Sequence, residues 1–153
     1  MGGISMVMVD VSEKPEVFRQ ATASGSLRLR PETIGLIRKG KIAKGDPLQT
    51  AKTAGILAAK KTSELIPLCH PLPLTNVRVE TRIIDKHRVQ VTATVKTKAQ
   101  TGVEMEALTA VFVAAITVYD MAKSIDKGMV ISDVRLEYKS GGRSRIWVRK
   151  KEA

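Results

Sequence analysis

Residues 76–95 read NVRVETRIIDKHRVQVTATV, two runs of alternating apolar and polar residues joined by a polar turn. Val77, Val79, Thr81 and Ile83 point one way, and Arg78, Glu80 and Arg82 the other. After the turn at 85–88, Val89, Val91, Ala93 and Val95 repeat the pattern. Alternation with period two on both sides of a turn predicts an antiparallel hairpin with one face toward a core. Upstream, VFRQATASGSLRLR at 17–30 predicts a further strand, with Gly25 a bulge candidate. Pro31 then suits a first helical turn and Gly40 a helix end, which together predict a short helix. Asp46-Pro47, an N-cap followed by Pro at N1 with Gln49 three residues on, starts a second helix running to about Glu64. Its Ala51, Ala54, Gly55, Ala58 and Ala59 form a thin face suited to close packing. Downstream of the hairpin, Thr101-Gly102-Val103-Glu104 has the capping-box pattern ahead of a long apolar helix to about Ser124. A last strand turns Val134, Leu136 and Tyr138 inward and runs into KSGG at 139–142.

With the short first helix set aside, the order is βαββαβ, which predicts an α+β fold: a ferredoxin-like plait with an antiparallel sheet and helices on one face. The uncovered face is then either solvated or buried in an oligomer. The predicted organisation is an N-terminal arm over 1–16, a single ferredoxin-like domain over 17–142 and a basic C-terminal tail over 143–153. No internal repeat or low-complexity segment interrupts it.

The 153 residues carry 26 Lys and Arg against 15 Asp and Glu, a net charge of +11. A chain this basic attracts an anion, whether nucleic acid, a membrane surface or a phosphorylated small molecule. One Trp, two Tyr and two Phe leave few platforms for stacking single-stranded bases. No RNP1 pattern appears, so an RNA-recognition reading of the plait lacks its aromatic strands. A single cysteine, Cys69, excludes an internal disulfide framework and any multi-cysteine zinc site. The apolar run at 107–119 is short for a membrane span and no leader pattern is present, so a cytoplasmic protein with no membrane partner is expected.

Several residues stand out chemically. GLIRKGKI at 35–42 nearly matches a P-loop, but Ile42 stands where a magnesium-binding Ser or Thr is needed. Cys69 and His70 are adjacent in LIPLCHPLP; in an extended segment they point apart, which argues against shared metal ligation. His70, framed by Pro67, Pro71 and Pro73, reads equally as an oriented site residue or as a structural histidine. Asp120 and Lys123 share a helix face, as a site or as a plain surface ion pair. Glu104 has a structural reading as the capping-box acid, and Glu106 diverges from it on the helix. Glu106 and Asp120 lie about 21 Å apart along the axis, so one small-molecule site cannot use both from one chain. Two antiparallel copies around a twofold axis bring the opposite ends together. Lys44 stands just before a helix N-terminus, which favours phosphate. Lys139 opens the KSGG loop, a second candidate anion wrap, while Arg143 onward reads as a flexible tail.

MVDVSEK at 8–14, the stretch from KGD to AAKKT at 44–62, ELIPLCHPL at 64–72, TGVEMEALTA at 101–110, VYDMAK at 118–123 and KSGG at 139–142 together resemble the molybdenum cofactor biosynthesis protein C family, the MoaC family. The resemblance spans about residues 8–142; RSRIWVRKKEA lies outside it. It implies a lyase, cyclic pyranopterin monophosphate synthase, that takes a cyclised dihydroguanosine triphosphate and releases pyrophosphate. It further implies a homohexamer, a trimer of dimers with the site at the dimer interface, and a radical SAM GTP cyclase that supplies the substrate. By matching motif, Asp120 is the general acid/base, and Lys123, Lys44 and His70 act with it. Leu68, Cys69 and His70 line the substrate from one side; Glu104, Met105 and Glu106 do so from another, with Arg19 and Lys139 beside them. Lys44, Lys123 and Arg19 are expected to hold the triphosphate, with Asp120 favouring the charged form of the neighbouring lysine and burial opposing it. No dedicated metal or cofactor is expected; magnesium is at most a companion of the triphosphate.

Overall fold

The computed structural model describes residues 2–143 and 145–152. The chain runs β1 (Val17–Arg28), α1 (Pro31–Arg38), α2 (Pro47–Lys60), α3 (Thr62–Leu65), β2 (Leu74–Ile83), β3 (Arg88–Ala99), α4 (Glu104–Ala122), β4 (Val130–Ser140) and β5 (Trp147–Val148). The strands form one sheet in the order β2-β3-β1-β4-β5, every neighbour antiparallel. Its first four members have the order of a ferredoxin-like plait, as the strand pattern predicted.

The pleat sorts the side chains. On β1, Ala21, Ala23 and Leu27 are buried; on β3, Val89, Val91, Ala93 and Val95. The opposite sheet face carries Thr22 and Thr94, whose hydroxyls hydrogen-bond across the strands at 2.9 Å. α4 closes the apolar face with Ala107, Ala110, Val111, Ala114, Ala115 and Val118. Its small side chains let helix and sheet approach closely. At Gly25 the approach leaves no room for a side chain: a Cβ there would lie 2.7 Å from Val111 Cγ1. The β1–β4 register shifts at this point, between Ser24 and Ser26. The extra residue lies on β4, where Asp133 has φ 55°, so Gly25 faces the bulge rather than forming it.

The helix ends show which local signals survive. Asp46 caps α2, its carboxylate accepting from Leu48 N at 2.9 Å and Gln49 N at 3.2 Å. α2 ends at Lys60, short of Glu64. Thr62 Oγ1 donates back to the carbonyls of Ala58 and Ala59, and the chain restarts as the short α3. The expected capping box at Thr101 does not form: α4 begins at Glu104, and its N-cap, Val103, makes no side-chain cap. Glu104 is drawn instead to Lys139, which meets its Oε1 at 2.7 Å. The start of α1 is capped from a distance by Asp126, whose Oδ2 accepts from Arg30 N and Thr33 Oγ1, both at 2.9 Å. The C-terminal stretch also differs from a free tail. β5 pairs with β4, and Arg149 donates through N to Glu137 O and through Nε to Leu136 O. At 19 residues α4 is long and apolar enough to cross a membrane by length and composition. Here it is the core helix.

Candidate active site

At the C-terminal end of α4, Asp120 and Lys123 lie one turn apart, as their spacing predicted. Lys123 Nζ is 2.9 Å from Asp120 Oδ1. Lys44 reaches the same carboxylate from the loop before α2, with Nζ 3.0 Å from Oδ2 and 3.2 Å from the Asp120 carbonyl. Asp46 is occupied as the α2 cap, so Lys44 turns to Asp120. The hydrogen bonds from Lys123 and Lys44 hold the Asp120 carboxyl below its ordinary range. The same bond to Asp120 raises Lys123. All three side chains are about half exposed. The expected opposition of burial to the Lys123 charge is therefore a minor effect in the single chain.

The other candidates gather at the N-terminal end of α4. Arg19 donates through Nε to Ala99 O at 2.9 Å and through Nη2 to Gln100 O at 3.0 Å, which ties β1 to the turn that launches α4. Lys139 pairs with Glu104. A depression of about 420 Å³ is lined by Lys14, Arg19, Glu104, Lys139 and Arg143. A second, of about 340 Å³, is lined by Leu68, Cys69, His70, Glu104 and Met105, with Lys14 again at its side. Lys14 thus borders both. It belongs to the arm and is the last residue of MVDVSEK.

Cys69 and His70 do point apart. Cys69 Sγ donates to Glu106 Oε1 at 3.8 Å, while His70 Nε2 meets the carbonyl oxygen of Val9 at 2.6 Å. Burial and the neighbouring Glu106 push the Cys69 thiol up to about 11, so it is a neutral hydrogen-bond donor rather than a nucleophile. Glu106 is 3% exposed. Among the described residues its Oε2 is buried without a hydrogen-bond partner. Burial raises its carboxyl above the ordinary range and the Glu104 charge adds to this; the Cys69 bond opposes it.

Glu106 therefore binds its proton more tightly folded than unfolded. Its contribution is favourable below the ordinary glutamate pKa and is lost as pH rises through the folded value. Glu106→Gln removes this dependence. Thermal unfolding from about pH 4 to about pH 7 is expected to show the wild type losing stability relative to the variant; a constant difference would contradict the assignment.

One chain does not bring the two ends together. The 14 residues from Glu106 to Asp120 span about 21 Å of helix. A separate open depression at Arg28, Arg30, His87 and Lys127 includes Asp126, whose carboxylate is already taken by α1.

A family model described as the MoaC family matches residues 8–142, which contain the residues named in both clusters except Arg143. The chain belongs to the MoaC family. A relative from Thermomicrobium roseum, named cyclic pyranopterin monophosphate synthase, is 58% identical over 143 residues, covering 93% of this chain and 86% of the relative. Relatives of the same name from Dinoroseobacter shibae and Desulfitobacterium hafniense are 56% and 54% identical, covering 90% and 93% of this chain and 87% of each relative. Of this MoaC-family chain, β5 lies beyond the matched residues, whereas the arm from Met8 onward lies within them.

Proposed function

We propose that this chain is a cyclic pyranopterin monophosphate synthase of molybdenum cofactor biosynthesis, a lyase acting on a cyclised dihydroguanosine triphosphate. The observation that carries the reading is the meeting of Lys44 and Lys123 on Asp120. Two ammonium groups and a carboxylate in one exposed cluster suit a reaction that expels pyrophosphate while moving protons. A ribose hydroxyl forms a bond to the α-phosphorus, and the α–β phosphoryl bond breaks. The hydroxyl proton passes to a base, and the lysines stabilise the leaving charge. Asp120 is the acid/base group, with His70 acting from the opposite cluster. Leu68, Cys69, Glu104, Met105 and Glu106 line the substrate, and Lys139 and the remaining Arg19 donors hold it. Magnesium enters only with the triphosphate: the cluster offers one carboxylate between two cations, a poor donor set for a dication.

The separation of the two clusters supports a site shared between chains. Met105, Phe112 and Ile116 form an exposed apolar stripe on α4. Antiparallel pairing along this stripe covers it and sets each chain's Asp120 end beside its partner's Glu104 end. Removing water there restores basicity to Asp120. A homohexamer built as a trimer of such dimers, a cytoplasmic location and a radical SAM GTP cyclase as substrate source complete the reading, with neither nucleic acid nor membrane as partner. Purified protein given the cyclised triphosphate is expected to release pyrophosphate and yield a pterin. Folded, oligomeric protein that yields neither would overturn the proposal.

A further inference from the structure

Residues 2–16 form no helix or strand, and Ile4, Met6 and Val7 of this arm are exposed. One backbone atom of the arm is nevertheless fixed on a candidate site residue. The Val9 carbonyl oxygen lies 2.6 Å from His70 Nε2. The turn that follows sets this carbonyl in place: Asp10 Oδ1 accepts from Ser12 N at 2.9 Å and from Ser12 Oγ, and Lys14 N donates to Val11 O at 3.0 Å. A carbonyl oxygen only accepts, so the proton in the bond to His70 belongs to Nε2. In a neutral imidazole the lone pair is then on Nδ1. Among the described residues nothing hydrogen-bonds to Nδ1, and Val9 is the one residue bonded to the ring.

We propose that the Val9 backbone carbonyl is a positioning group that holds His70 in the Nε2–H tautomer, leaving Nδ1 to accept a hydrogen bond or proton from the substrate. This rests on His70 belonging to the substrate site. Two of the other polar side chains around the depression are committed elsewhere. The Cys69 thiol is directed to Glu106 Oε1 and to the His70 carbonyl, and Glu104 is held by Lys139. Lys14, also at its edge, has no acceptor to offer the ring. Ordering the arm therefore orders the acid/base chemistry of the ring through a backbone atom.

The test reads the tautomer directly. Histidine labelled with nitrogen-15 gives different shifts for protonated and unprotonated ring nitrogens, and His87 is the one other histidine to resolve. With both rings neutral and no substrate present, the full chain is expected to show a protonated-type Nε2 and an unprotonated-type Nδ1 at His70. In a chain whose first residue is a methionine at position 10, both shifts are expected to move toward an averaged pattern. On the cyclised triphosphate, kcat should fall by about tenfold or more, a fraction of what a fixed wrong tautomer costs, while KM changes little. Asp10→Ala in the full chain loosens the turn and should move the shifts the same way, should the shortened chain not fold. An Nδ1–H tautomer in the full chain overturns the proposal, as does an unchanged His70 pattern in the shortened and Asp10→Ala chains. Because the spectra need no substrate, this result and the pyrophosphate assay fail separately.

Discussion

Asp120→Asn is expected to lower turnover of the cyclised triphosphate by about 10²–10⁴-fold with folding intact. The variant keeps the shape of the side chain and removes both the charge that binds two lysines and the capacity to take a proton. Lys123→Ala is expected to fall in the same range, because it removes the group that most strongly holds Asp120 ionised. Both side chains are about half exposed, so melting temperatures should barely move. The informative experiment mixes two inactive chains. If each site takes Asp120 from one chain and His70 from its partner, Asp120→Asn mixed with His70→Ala rebuilds one intact site in every mixed dimer. Free exchange then returns about a quarter of the wild-type sites. Verified exchange without recovery would place the whole site within one chain.

The second large effect is on stability. Gly25 lies on the central strand β1, and a Cβ there would meet Val111 Cγ1 at 2.7 Å and Val134 Cγ2 at 3.0 Å. Val111 is fully buried and cannot swing into solvent. Gly25→Ala is expected to cost about 1–3 kcal/mol through overpacking, and Gly25→Val more. For a domain of this size each kcal/mol shifts the midpoint by about 2–4 °C. Val111→Ala alone also destabilises, by leaving a cavity. Together with Gly25→Ala it should cost less than the sum of the two, because Val111→Ala makes the room that the new methyl group fills. Urea unfolding of the four chains measures the coupling; strict additivity would show that the helix backs away from the sheet instead.

The parts of the fold legible in the sequence are those whose cause is local. Alternation at Val77–Val79 and Val89–Val95 reports a two-sided strand directly, and Asp46-Pro47 carries its own cap. The lapses share a different cause. Thr101 and Glu104 have the spacing of a capping box, yet Glu104 finds a cation on β4 that no window around residue 104 contains. Residues 147–148 read as part of a charged tail because a two-residue strand has no period; its place comes from β4 and the Arg149 bonds. For the site, motif resemblance named residues that the fold draws into two clusters, but not their states. That Glu106 is buried with one oxygen unbonded among the described residues, that Cys69 donates to it, and that Arg19 spends two donors on backbone carbonyls are tertiary facts. The Val9 carbonyl escaped because a backbone atom in an unstructured arm carries no sequence signature, and Lys14 because its place beside Glu104 and Lys139 comes from the fold.

α4 has a second meaning beyond its packing. Its buried residues fix its rotation against the sheet, and the same rod carries Glu106 at one end and Asp120 at the other. Adding one residue at its middle would turn everything beyond by about 100° and advance it by about 1.5 Å. The core would then receive side chains meant for the outside, and Asp120 would swing off Lys44. The helix works as a gauge: side chains along it can be exchanged one at a time, but the number of residues between its two ends cannot, because one count sets both the register of the core and the distance from Glu106 to Asp120.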